Sequence, residues 1–186
     1  MEQTRVRKRL MRDLTIDLAL SEGQVRRWYL PGWTPDRVRE LLLEMSASGE
    51  IVFRSVWVTK TARERTVGQI CIVHTPQLLA TPEGLRHACG VAEVRRILGI
   101  PQGMWKAIAP QAVGDTGEPD AVFRRGHTLV AVEYDAGSYS REQVLRKARA
   151  FVQRYDRQVW GAPTRQRVAW IRSLVPDAEV VCAPWS

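Results

Sequence analysis

No stretch of about 18 consecutive apolar residues occurs in the 186-residue chain, so no segment has the length and hydrophobicity of a membrane-spanning helix. The opening residues MEQTRVRKRLMRD also lack the apolar core of a secretory signal, and the expectation is a cytoplasmic protein with no membrane partner. Cysteine is scarce. Cys71, Cys89 and Cys182 are odd in number and have no paired spacing, which excludes a disulfide framework and predicts reduced, mostly buried thiols. Histidine is equally sparse, and neither Cys71 with His74 nor His87 with Cys89 has the spacing of a structural zinc finger, so ordinary histidines are expected. No Pro/Gly/Ser-rich linker separates the two halves, which are therefore expected to pack together. Acid is in short supply as well: 20 Asp+Glu against 28 Lys+Arg leave a net charge of +8, which suits a polyanionic partner such as DNA, RNA or an anionic membrane surface.

What is present is enough apolar residue, 45% of the chain, to bury a core. From Thr4 to about Leu20, Val6, Leu10 and Leu14 recur at helical spacing, followed by Ile16, Leu18 and Leu20. Arg5, Arg7, Lys8, Arg9 and Arg12 fill the other face, which predicts a basic amphipathic helix broken near Asp13. Gln24 to Tyr29 forms one or two helical turns before Pro31-Gly32. Thr34 and Pro35 start the next helix, where Val38, Leu41, Leu42 and Met45 fall at i, i+3, i+4 and i+7. Two strands follow, Glu50 to Val58 and Gln69 to Val73, with the basic loop KTARERTVG between them. A helix-turn-helix followed by two strands and a basic loop is the order of a winged helix. Arg37 and Arg39 then take a groove or phosphate role, and Lys60, Arg63 and Arg65 a phosphate role.

The domain boundary is expected near Thr81 to Gly90, dividing the chain into residues 1–80 and 81–186. Thr81-Pro82 opens a short helix, Gly90 interrupts it, and Val91, Val94, Ile97 and Leu98 line a second one. Strand candidates then run over Met104 to Ala109, Ala121 to Arg124, Thr128 to Asp135, Arg167 to Ile171 and Glu179 to Cys182. Of the seven tryptophans, Trp57, Trp105 and Trp170 fall in strand candidates and suit a core, whereas Trp28 and Trp33 lie beside the helix-turn-helix. Ser140 with Gln143 completes a capping box for a helix bearing Val144, Ala148, Phe151, Val152 and Tyr155 on one side. The order is that of an α/β sandwich.

Metal-assisted phosphodiester cleavage needs carboxylates that hold a cation and, commonly, a lysine near the developing charge. Asp120 and Glu133 flank one hairpin and can share a sheet edge, and Lys147 flanks the apolar stripe of the next helix within reach of that edge. Glu118 and Asp115 are spare acids nearby. The residues Pro119-Asp120, Glu133-Tyr134-Asp135-Ala136-Gly137, Lys147 and Tyr155 resemble the PD-(D/E)XK nuclease-like superfamily, and more narrowly the bacterial replication-relaxation family of plasmids and mobile elements. That resemblance implies a winged helix-turn-helix followed by a restriction-endonuclease-like α/β domain, acting on DNA in plasmid or mobile-element replication or its control. It implies Mg2+ or Mn2+ at Asp120 and Glu133, a catalytic Lys147, and Asp135 tuning or sharing the metal. A homodimer and contacts with other replication proteins are compatible with it. One departure stands out: Asp135 occupies the place of the standard lysine, two residues after the second acid. Two readings follow, a metal-dependent deoxyribonuclease or a non-catalytic winged-helix regulator with a degenerate nuclease-like domain; a protein-interaction module is a third.

Overall fold

The computed structural model describes residues 2–61, 64–72, 82–109 and 117–185, with the backbone alone at residues 2, 56–61, 64–72 and 82–83. The first helix, α1 (Glu2–Asp17), runs unbroken through Asp13. The expected break does not occur because the buried Asp13 carboxylate accepts from the Tyr29 hydroxyl at 2.6 Å and is not left as an unpaired charge inside the helix packing. Leu18 adopts a left-handed conformation, φ +67°, and ends the helix, so Leu20 belongs to the following strand β1 (Ala19–Ser21). Ser21 caps α2 (Glu22–Tyr29) in a capping box with Gln24, and Thr34 caps α3 (Pro35–Ala47), which buries Val38, Leu41, Leu42 and Met45.

Strands β2 (Val52–Thr61) and β3 (Glu64–Ile72) form a hairpin, and β1 adds to β3, giving an antiparallel sheet ordered β1-β3-β2. The stretch KTARERTVG is thus mostly strand, with Thr59 opposite Arg65 and Thr61 opposite Glu64. Its two threonines and Val67 favour pleated backbone over an extended loop. Lys60 and Arg65 lie on the hairpin strands, and Arg63 lies outside the described residues.

The long helix α4 (Pro82–Ile97) passes straight through Gly90. A side chain at Gly90 would meet the Tyr134 ring at 2.2 Å, so this glycine marks a close approach and not a helix end. Ile97, expected on the apolar side, is exposed. A single 3-10 turn (Gln102–Met104) then precedes β4 (Trp105–Ala107), leaving Met104 outside the strand and exposed.

The hairpin β5 (Ala121–Arg125) and β6 (Thr128–Tyr134) follows, then α5 (Arg141–Val152), β7 (Arg157–Ala162), α6 (Arg165–Leu174) and β8 (Glu179–Cys182). Arg167 to Ile171 is helical because Thr164 caps it, accepting from the Arg167 amide, and Val168 and Ile171 share its buried face. The strand expected there is supplied by Arg157 to Ala162 instead. On α5, Val144, Ala148 and Phe151 are buried, whereas Val152 is exposed and Tyr155 lies past the helix end. Among the described residues the chain is a mixed α/β protein with six α-helices and a five-stranded sheet ordered β4-β5-β6-β7-β8, antiparallel as far as β6 and parallel beyond it. No described helix is long and apolar enough to cross a membrane.

Alternation along β6 sends Val130, Val132 and Tyr134 to the sheet face covered by α4, and Ala131 to the face covered by α5 and α6. A third core joins α1, α2 and α3 and takes in Ala92 of α4. Polar contacts fasten α4 to the N-terminal elements: Asp17 with Arg95 at 2.5 Å, Asp13 with Arg96 at 3.3 Å, Gln24 with the Cys89 carbonyl and Glu93, and Arg27 with Glu93. Gln102 also donates to Asp13. Ser21 donates to the Trp185 carbonyl at 2.7 Å, tying β1 to the segment that follows β8.

Candidate metal centre

Asp120 immediately precedes β5, and Glu133 is the penultimate residue of β6. Ala121 pairs with Val132, so extending the register by one residue sets Asp120 opposite Glu133 at one end of the hairpin. The Tyr134 amide donates to Asp120 Oδ2 at 2.7 Å and fixes that carboxylate. Lys147, on the second turn of α5, reaches across as its position on the helix suggests: Nζ lies 2.9 Å from Glu133 Oε1 and contacts the Glu118 carbonyl at 3.4 Å. The Tyr139 hydroxyl donates to the same Glu133 oxygen at 2.6 Å.

The other oxygen, Glu133 Oε2, is buried with no hydrogen-bond partner among the described residues, on a residue that is 0% exposed. Burial pushes the Glu133 carboxyl up to about 8, the Asp120 charge adding to the shift while Lys147 and Tyr139 oppose it. Burial and the facing Glu133 carboxylate hold the Tyr139 phenol far above its ordinary range, so it stays a donor.

One more group completes the cluster. His87 Nδ1 lies 3.2 Å from Asp120 Oδ2, and its ring packs between Tyr134 and Tyr139. His87, Asp120 and Glu133 each offer a ligand atom within 4.8 Å of the others. Adjacent ligands around one small divalent ion lie about 3 Å apart, so this spacing fits a cation as well as a hydrogen bond. Two carboxylates and an imidazole suit Mn2+ better than Mg2+, which favours oxygen alone. The orphaned Oε2 is the kind of atom a cation satisfies.

His87 was expected to be an ordinary histidine. The available signal was its place four residues before Val91 on the buried stripe of α4, where a titratable side chain needs a partner. Tyr139 was also missed, and Tyr155, the tyrosine matched by resemblance, lies against Phe151 near the other end of the sheet.

Asp135 is directed elsewhere. Its Oδ1 accepts from the Gly137 and Tyr139 amides, and its Oδ2 binds the Arg167 guanidinium at 2.6 Å, which makes it the anchor of the β6–α5 turn. The Glu118 side chain is exposed, and Asp115 lies outside the described residues. Of the residues expected to face DNA, Arg37 stacks on Trp33 at 3.8 Å and Arg39 pairs with Glu22 at 3.0 Å. Trp170 lies on α6 under the Arg167 guanidinium, and Trp105 is buried against Phe123.

No family model matches the chain, and neither the search of curated proteins nor that of solved structures returned a match.

Proposed function

We propose that the chain is a DNA-binding protein whose His87, Asp120, Glu133 and Lys147 form a divalent-metal centre for phosphodiester cleavage. The observation that carries this reading is Glu133 Oε2, wholly buried and without a hydrogen-bond partner among the described residues, on a carboxylate grouped with a second carboxylate and an imidazole. Such an atom costs about 1–3 kcal/mol when left unsatisfied and is retained where a ligand uses it.

His87, Asp120 and Glu133 would hold the ion. A divalent cation there polarises a phosphodiester and activates water. The Tyr139 hydroxyl and the Lys147 ammonium both hold Glu133 Oε1, which leaves Oε2 free of these two donors to take a cation. Lys147 also keeps a fixed positive charge where negative charge develops on the phosphate. Asp135, tied to Arg167, positions the turn that carries Tyr139 and takes no part in ligation.

The element order α1-β1-α2-α3-β2-β3 with sheet order β1-β3-β2 supports a winged helix, and α4-β4-β5-β6-α5-β7 supports a restriction-endonuclease-like unit after it. Replication of a plasmid or mobile element, or its control, is the setting that the replication-relaxation resemblance implies. The alternative of a non-catalytic regulator draws on a different observation: Lys147 Nζ already sits 2.9 Å from Glu133 Oε1 and offsets one of the centre's two carboxylates without any ion.

Titration with Mn2+ and incubation with supercoiled, linear and single-stranded DNA separate the two. The nuclease reading expects Mn2+ binding that is lost in Asp120→Asn and Glu133→Gln, and cleavage that falls at least a hundredfold in both. DNA binding with neither Mn2+ binding nor cleavage by Mn2+ or Mg2+ would leave the regulator standing.

A further inference from the structure

We infer that the exposed basic stripe of α1, and not α3, is the surface that grips the sugar–phosphate backbone of duplex DNA. Arg5, Lys8, Arg9 and Arg12 are all exposed. At 100° per residue they fall within an arc of about 100° and span about 10 Å of helix. Duplex DNA carries a charge every ~1.7 Å of its axis, so a rigid row of this length faces several phosphates at once.

Among the acids of the same helix whose side chains are described, none dilutes the row. Asp13 and Asp17 are buried and engaged by Tyr29, Arg96, Gln102 and Arg95, and only Arg12, at 3.5 Å from Asp13, approaches either. Arg7 points away from the stripe, to Glu44 and Glu50.

The exposed face of α3 differs in sign. There Asp36, Glu40 and Glu44 accompany Arg37 and Arg39, and Arg39 is already paired with Glu22. With Glu44 held by Arg7 and Arg39 held by Glu22, Asp36 and Glu40 stand against Arg37, and the face repels phosphate overall. An anionic membrane is a poorer partner for α1, since surface-lying helices insert their apolar face and here Leu10 and Leu14 are fully buried in the core.

The choice of DNA as the duplex rests on the proposed function, but the grip is measurable without it. The probe is a fluorescent 25-base-pair DNA duplex of arbitrary sequence, titrated in EDTA over a range of salt concentrations, with an RNA duplex of the same sequence and anionic phosphatidylserine vesicles as further arms. Changing Arg5, Lys8, Arg9 and Arg12 together to Gln should lower DNA affinity at least tenfold at about 0.1 M salt and reduce the salt slope by about 2–4. Arg37→Gln with Arg39→Gln should change that slope by less than about 1. An unchanged slope in the α1 variant overturns the inference. So does a larger loss in the α3 variant, or α1-dependent binding to RNA or vesicles with none to DNA. A circular dichroism melt of each variant confirms folding, and Arg5→Gln with Lys8→Gln serves as the milder pair, expected to give about half the effect. Because the titration is carried out without metal, absence of cleavage overturns the proposed function alone, and DNA binding that does not depend on the α1 row overturns the inference alone.

Discussion

Gly90→Ala sets two physical effects against each other with opposite signs. Inside a helix, replacing glycine by alanine is worth up to about 1 kcal/mol of stabilisation. At this position the new methyl carbon would lie 2.2, 2.3 and 2.4 Å from three ring carbons of Tyr134. Carbon atoms rest about 3.5–4.0 Å apart, so either the ring or the helix must give way by more than 1 Å. The ring is held: Tyr134 is fully buried, its hydroxyl donates to the Ala183 carbonyl at 3.0 Å, and Gly161 backs its other side. A methyl on Gly161 would itself meet the ring at 2.8 Å. The helix must therefore move outward, taking His87 with it. Overpacking of this kind costs about 1–3 kcal/mol, and the rigid ring places it at the upper end. Subtracting the helix gain leaves a net loss of about 2 kcal/mol. For a chain of this size that is a fall in Tm of about 4–8 °C. Thermal and urea unfolding measure it, with an unchanged m-value as the control for two-state behaviour. A rise in Tm equal to the helix gain would refute the reasoning. In a Tyr134→Leu background the cost of Gly90→Ala should shrink by about 1–2 kcal/mol, a coupling that a remote effect would not produce.

Two further predictions concern buried charge. The Glu133 carboxyl is raised from 4.5 to about 8, so in metal-free protein the folded state holds a proton that the unfolded state releases. Stability from this group is complete below about pH 4.5 and is lost as pH rises through about 8, a decline on the order of 3–5 kcal/mol that Glu133→Gln should flatten; parallel stability–pH curves for the two proteins would contradict it. Asp17→Asn strands Arg95, which is 5% exposed, and should cost about 3–5 kcal/mol by urea unfolding, whereas a loss under 1 kcal/mol would show the pair to be solvated.

Legibility in the sequence followed how local the cause was. The caps at Thr34 and Ser140 act within four residues, and the helices they start were readable from those residues alone. Helix α6 was not, because five residues rich in valine, isoleucine and tryptophan suit either period, and the Thr164 cap that decides the matter stands outside the run. Gly90 looked like a break because its reason, the Tyr134 ring, arrives 44 residues later. The hairpin acids and Lys147 were legible as a group, since a two-stranded register and one helical stripe are enough to bring them together. His87 depended on how α4 lies across the sheet, which no local pattern records.

Helix α4 carries His87 near its start and Arg95 and Arg96 near its end, eight and nine residues later. Eight residues of helix span about 12 Å. Because the far end is clamped to α1 through Asp13 and Asp17, the helix behaves as a ruler with the arginine row at one mark and the acid pair at the other. If the proposed nuclease activity and the α1 grip both hold, nicks should fall at a constant offset from the place where the duplex is gripped, as a ruler of fixed length requires.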